Sequence, residues 1–257
     1  VNLRVSTLPV IHGEKVVIRL LEKERIILPL DRLGFSGRNY QLFKQLLLNP
    51  SGMLLVTGPT GCGKTTTLYS ALSYLNNPAC NIVTVEDPVE FRLDGVNQVQ
   101  VNRKIDLTFA ASLRTILRQD PDIIMIGEIR DAETAQIAVQ AALTGHLVLS
   151  TLHTNDAPSS VSRLVNIGLE PYLIAASLNG ILAQRLVRRL CNHCKEPFTP
   201  PENLRKYLEI GQIEPNELLM GKGCEKCRNS GYAGRCGIHE LLIVDEAFRE
   251  IINTDSS

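Results

Sequence analysis

MLLVTGPTGCGKTTTLYSAL, residues 53–72, joins an apolar strand to a glycine-rich turn and the start of a helix. Within it Gly58, Gly63, Lys64 and Thr65 satisfy G-x-x-x-x-G-K-[ST], in the strand-then-helix setting that separates a phosphate loop from a chance match. Glycines at 58, 61 and 63 let the backbone turn tightly and aim its N–H groups inward, around a triphosphate. A helix beginning at Lys64 adds the positive end of its dipole to those donors. The pattern predicts ATP or GTP held by Gly58, Pro59, Thr60, Gly61, Cys62, Gly63, Lys64, Thr65 and Thr66. In that arrangement Lys64 reaches the β and γ phosphates and the Thr65 hydroxyl holds Mg²⁺. Cys62 lies inside the loop, where it reads as a small buried residue.

Downstream, NIVTVEDPVEF runs a strand from Ile82 to Val85 into Glu86, Asp87 and Glu90. Carboxylates leaving a buried strand lie where an open α/β sheet places its ligand chemistry. VNQVQV, residues 96–101, reads as an edge hairpin, and FAASLRTILRQ, residues 109–119, as an amphipathic helix carrying Arg114 and Arg118. Ile123 to Ile126 form an apolar run typical of a strand buried on both faces, and the run ends at Gly127-Glu128. P-loop ATPases usually close that strand with a carboxylate pair, but Gly127 takes the first place and Glu128 stands alone. After a helix over 132–143 comes a strand over 147–151 bracketed by His146 and His153, either of which is a candidate γ-phosphate sensor. SSVSRLVNIGL and PYLIAASLNGILAQRLVRRL read as further helices, the second delivering Arg185, Arg188 and Arg189.

Upstream, residues 1–22 alternate apolar and polar positions, predicting two short strands with Arg4 on one and Arg19 on the other. Such a pair is not stable alone, so it reads as the tail of a preceding α+β domain. On sequence alone both arginines are ordinary surface residues. A start at Val1, directly on strand alternation, suggests a fragment of a longer protein. Pro29, Gly34 and Gly37 mark a linker, and RNYQLFKQLLLN has helical spacing.

The chain has 257 residues, 44% of them hydrophobic, enough for one large domain with small modules. Its 27 basic residues balance 27 acidic ones, which argues against general nucleic-acid binding or a basic membrane-surface face. No apolar run approaches the roughly 18 to 20 residues needed to span a bilayer, and VNLRVSTLPV lacks a signal-peptide pattern, so the expected location is cytoplasmic.

Seven cysteines are present, four of them in two C-x-x-C knuckles: Cys191 with Cys194 and Cys224 with Cys227. Four thiolates so spaced are the pattern of a closed structural Zn²⁺ site, a staple with no open position for chemistry. GIHELLIVDEAFREIIN then enters a final helix.

Together these pieces resemble the secretion ATPases that power type II secretion and type IV pilus assembly. The resemblance rests on GPTGCGKTT, VTVEDPVEF, IIMIGEIRD with its Gly127, LTGHLVLSTLHTND and the cysteine knuckles. It implies an α/β fold: a RecA-like P-loop NTPase core over 29–187, a tetracysteine zinc module over 188–232 and a C-terminal helical segment over 233–257. Residues 1–28 become the end of a second N-terminal domain. Retraction motors generally lack the knuckles, and GRCGIHELLIVDE is similar to the type II secretion branch. The resemblance further implies a homo-hexameric ring that hydrolyses ATP with Mg²⁺. It would meet inner-membrane secretion platform proteins through the region upstream, lie peripherally on that membrane, and bind no nucleic acid. Catalytic roles are implied for Glu128, for Glu86 or Asp87 as the carboxylate that Gly127 cannot supply, and for His153. Arg4 and Arg19 are implied to approach the phosphates at an interface, with Arg114, Arg118 and Arg130 near the nucleotide and the subunit contact. Rival readings are a type IV pilus extension motor, a small-molecule P-loop kinase and a nucleotide-switched zinc adaptor.

Overall fold

The computed structural model describes residues 2–21, 27–203, 205 and 218–254. Two strands, β1 (Asn2–Val10) and β2 (Gly13–Leu21), form an antiparallel hairpin whose register sets Arg4 opposite Arg19. Apolar residues are exposed on both of its faces: Leu3, Val5 and Ile18 on one and Leu8 and Val17 on the other each keep more than half of their surface.

Seven strands make the main sheet. In chain order they are β3 (Gly52–Thr57), β4 (Ile82–Glu86), β5 (Asn97–Gln100), β6 (Ile123–Ile126), β7 (Leu147–Leu152), β8 (Leu178–Leu190) and, last, β11 (Tyr232–Ile243). Their spatial order is β11-β8-β3-β7-β6-β4-β5. All neighbours are parallel except β11, which runs antiparallel to β8 at one edge.

Every residue of β3, β4, β6 and β7 is buried, because helices cover both faces of the sheet. On one face Leu54, Val56 and Leu149 pack with Phe43, Leu46 and Leu47 of α1 (Gly37–Leu47) and Leu68, Tyr69 and Leu72 of α2 (Lys64–Leu75). On the other, Leu55, Val85, Ile124 and Val148 meet α3 (Phe109–Ile116), α4 (Ala132–Leu143), α5 (Pro158–Ile167) and α6 (Pro171–Ser177). The closing helix α7 (Glu246–Thr254) adds Ile252 to that layer. Each leucine so buried contributes about 2 kcal/mol of transfer free energy.

Helix starts follow local chemistry. Ser36, Thr108 and Asp131 cap α1, α3 and α4 by accepting N–H bonds from Asn39, Ala111 and Thr134. By contrast α2 starts from Gly63 with no side-chain cap, so no side chain competes for the amides of its first turn.

Two expectations are corrected. Residues 96–101 form no hairpin: β5 lies parallel to β4, with Val83 opposite Asn97, and this return carries the Gln98 amide onto the Glu86 carboxylate at 3.1 Å. Nor is the stretch from Pro171 to Leu190 one helix. The helix stops at Ser177, where Asn179 turns its amide to the Ser51 carbonyl, and β8 then pairs with β3. Its apolar residues mimic helical spacing because Ile181 and Leu182 are buried on opposite faces of one strand. Of residues 233–257, the described helix covers only Glu246–Thr254, and Tyr232–Ile243 is a strand of the main sheet.

Between β8 and β11 the chain leaves the sheet to form the cysteine knuckles, with a small antiparallel pair of β9 (Lys195–Pro197) and β10 (Leu219–Gly221). No described helix is long and apolar enough to cross a membrane.

Candidate active site and metal centre

Because β3, β7, β6 and β4 are adjacent and parallel, their carboxyl ends line up, and each delivers one part of the site. β3 leads into the phosphate loop, β7 into His153, β6 into Glu128, and β4 ends on Glu86 with Asp87 next.

Gly58 has φ 143° and Gly63 φ 92°, conformations that side chains resist. At Gly58 a Cβ would also stand 2.4 Å from the Gln184 carbonyl oxygen and 2.7 Å from Cys62 Sγ. Lys64 is folded into this loop and only 9% exposed. Its Nζ donates to the Gly58 carbonyl at 2.7 Å and the Pro59 carbonyl at 3.3 Å, and lies 3.4 Å from His153 Nδ1. Burial lowers the pKa of Lys64, opposed by the charges of Cys62 and Glu128. Thr60, Gly61 and Thr65 lie exposed on the loop surface.

His153 bridges Lys64 and Glu128. Its Nε2 lies 3.4 Å from Glu128 Oε2, while Nδ1 accepts from the ammonium. Burial and then the neighbouring Lys64 charge lower its pKa, which favours the neutral ring, and a neutral ring that accepts at Nδ1 carries its proton on Nε2, facing the carboxylate. Glu128 Oε1 accepts from Arg130 at 2.6 Å, which raises the guanidinium pKa. One carboxylate is thus held from two sides, with 14% of its side chain still open.

Glu86 is treated differently. Only 3% exposed, it accepts from the Tyr69 hydroxyl, from Thr84 at 2.6 Å and from Gln98 at 3.1 Å. Asp87 beside it is more open and pairs with Arg103 at 3.8 Å. Where Walker-type strands carry a carboxylate, Gly127 packs so that a Cβ would lie 3.4 Å from Glu86 Cα.

Of the two histidines, His146 stands at the opposite end of β7, donating from Nδ1 to the Ala141 carbonyl at 3.0 Å. Arg114 pairs with Glu133 at 2.6 Å on the surface, and Arg118 caps the Arg114 carbonyl at 2.8 Å. The side chains of Arg4 and Arg19 lie outside the described residues.

Sequence reasoning missed two supporting groups. Thr57 and Thr154 share a 2.7 Å hydroxyl contact, and the Thr154 N–H donates to Thr57 Oγ1 at 2.9 Å, pinning the backbone beside His153. Gln184 on β8 joins the Cys62 carbonyl of the phosphate loop to the Thr67 hydroxyl in the first turn of α2. A lone glutamine within an apolar strand was the available signal for it.

The four knuckle cysteines gather with all their sulfurs within 4.8 Å of one another. Sγ separations are 4.0 Å for Cys191–Cys224 and 3.8 Å for both Cys194–Cys227 and Cys224–Cys227. Tetrahedral zinc–thiolate coordination requires edges of about 3.8 Å, so the donor set fits that ion. Burial raises the Cys227 thiol's pKa, but the N–H groups of Cys224 at 3.2 Å and Gly231 at 3.3 Å outweigh it and favour the thiolate.

A family model described as Type II/IV secretion system protein matches residues 1–257. The chain belongs to this family. Among curated members, the Type II secretion system ATPase E of Vibrio cholerae is 56% identical over 256 residues, covering 100% of this chain and 51% of that protein. The Type IV pilus assembly ATPase PilB of Thermus thermophilus is 53% identical over 254 residues, covering 98% of this chain and 29% of PilB. The chain therefore spans about half the length, or less, of the relatives it matches. In structure it is similar to the pilus retraction motor PilT with bound ADP, at a TM-score of 0.72 and 30% identity over 98% of this chain and 63% of that one. This secretion-family chain has the RecA-like α/β fold of those ATPases, with a cysteine tetrad able to hold a metal.

Proposed function

We propose that this chain is the ATP-hydrolysing part of a cytoplasmic motor that drives pseudopilus assembly and protein export in a bacterial type II secretion system. What carries the reading is the meeting of Lys64, His153 and Glu128 at the ends of adjoining parallel strands, beside an uncapped helix start. The loop amides and Lys64 bind the triphosphate, Lys64 exchanging the carbonyls of Gly58 and Pro59 for phosphate oxygens. Thr65 would hold Mg²⁺, which supplies positive charge at the β and γ phosphates when bound. Glu128, steadied by Arg130, orients and deprotonates the attacking water, and His153 reports the γ-phosphate to it. Asp87, the more open of its pair, supplies the carboxylate that Gly127 lacks, while Glu86 fixes the strand end behind it.

Arg4 and Arg19 approach the phosphates across a domain or subunit contact in a homo-hexamer, where an arginine can stabilise the transferred phosphoryl's charge. The hairpin within residues 1–28 belongs to a second N-terminal domain. Its apolar exposure on both faces supports that assignment. Residues 188–232 would hold Zn²⁺ through Cys191, Cys194, Cys224 and Cys227, which supplies a cross-link between the knuckles. Partners are inner-membrane platform proteins reached through the region upstream. The similarity to PilB supports a second reading, a type IV pilus extension motor with the same chemistry.

Glu128→Gln is expected to bind nucleotide with near-normal affinity and to lose about 10²- to 10⁴-fold in turnover. Paired equilibrium binding and steady-state phosphate release check this, and near-normal turnover removes Glu128 from its role.

A further inference from the structure

Gln184 is only 4% exposed, on the strand β8 beside β3. Its Oε1 accepts from the Thr67 hydroxyl at 2.7 Å, in the first turn of α2. Its Nε2 donates to the Cys62 carbonyl at 2.7 Å, inside the phosphate loop. The loop's glycines are shaped around the same residue: a Cβ at Gly58 would meet the Gln184 carbonyl at 2.4 Å, and one at Gly63 the Gln184 amide nitrogen at 3.3 Å.

A trans peptide points its C=O and its N–H in opposite directions. By holding the Cys62 carbonyl toward the sheet, Gln184 turns the Gly63 N–H away from itself. The flip of this one peptide decides whether the loop offers an approaching anion a donor or a carbonyl oxygen. We propose that Gln184 is a positioning residue for nucleotide binding, a strap that sets the orientation of the Cys62–Gly63 peptide and ties it to the first turn of α2. A primary amide of this length serves both partners at once, donating to the loop carbonyl and accepting from the Thr67 hydroxyl. An ionised glutamate would keep the Thr67 bond and set a second oxygen against the Cys62 carbonyl. The consequence for affinity rests on the ATPase reading, whereas the consequence for loop conformation does not.

Two readouts on the full chain separate these levels. Hydrogen exchange on nucleotide-free protein reads the loop, and titration with a fluorescent ADP analogue plus Mg²⁺, together with steady-state ATP hydrolysis, reads its use. Gln184→Glu is expected to speed exchange across residues 58–67 and to raise Kd and KM about tenfold or more, with kcat changed far less. Should that variant fold poorly, Thr67→Val cuts one arm of the strap without changing shape. It is expected to raise Kd several-fold, and Thr67→Ser to restore the affinity. Folded variants whose exchange and affinity both match the parent overturn the proposal. A parent chain that binds no nucleotide overturns the ATPase reading, and the exchange data then still decide whether Gln184 straps the loop.

Discussion

Glu86 and Glu128 sit at the ends of neighbouring strands, yet their surroundings assign them different work. Three neutral donors, the Tyr69 and Thr84 hydroxyls and the Gln98 amide, meet Glu86 in a pocket that admits almost no solvent. Burial first and the carboxylate second raise the Tyr69 pKa, so the phenol stays a donor. Tyr69→Phe leaves a buried carboxylate one donor short and is expected to destabilise the fold by about 1.5 to 3 kcal/mol, measured as a lower denaturant midpoint at unchanged slope. An unshifted midpoint would show the hydroxyl to be dispensable. The sequence made both carboxylates catalytic candidates, Glu128 for the attacking water and Glu86 or Asp87 for the place that Gly127 leaves empty, since each follows an apolar strand. What separates them is Tyr69 and Gln98, which come from a helix and an edge strand that no spacing rule connects to Glu86. Lys64 was legible at once because its loop is local in sequence.

Among the elements, the β8–β11 ribbon was the hardest to read and ties the most together. Its strands pair from Gly180 opposite Ile243 to Leu190 opposite Tyr232, and Cys191 follows directly. Gln184 on one strand reaches the phosphate loop, while Glu240 on the other accepts from the Ala157 N–H at 3.2 Å, just past the His153 loop. Apolar runs buried on two faces do not distinguish strand from helix, and only pairing with β3 resolves the choice. The knuckles, by contrast, announce themselves by spacing alone. With metal bound, the four clustered thiols are expected to resist a thiol-reactive chromogen, and chelation should release four equivalents per chain while lowering the melting temperature. A thiol titre indifferent to chelator would dismiss the metal centre. Cys80 and Cys236, partly exposed and outside the knuckles, serve as internal references.

For the whole molecule, the hairpin is the feature that the core alone leaves unexplained. Leu8 at 59% and Ile11 at 94% exposure are the apolar surfaces that a partner domain or subunit would cover in the proposed assembly. If catalysis is completed between subunits, specific Mg²⁺-dependent ATPase activity should climb steeply with protein concentration, more so in a longer protein carrying the region upstream. Activity independent of concentration would make each subunit self-sufficient and remove the ring from the mechanism. Overall class was readable from alternating strands and helices, because both periodicities are local. Strand order was not, since it depends on pairings between distant segments. That order has a consequence for biosynthesis. The inner strand β3 leaves the ribosome long before β7 and β8, which flank it. At 5 to 20 residues per second the gap is on the order of ten seconds. Throughout that interval Met53, Leu54, Leu55 and Val56, each fully enclosed in the finished protein, have neither edge partner. A nascent chain of this topology therefore depends on a holding chaperone, or on early cover from α1 and α2, to reach its last strands unaggregated.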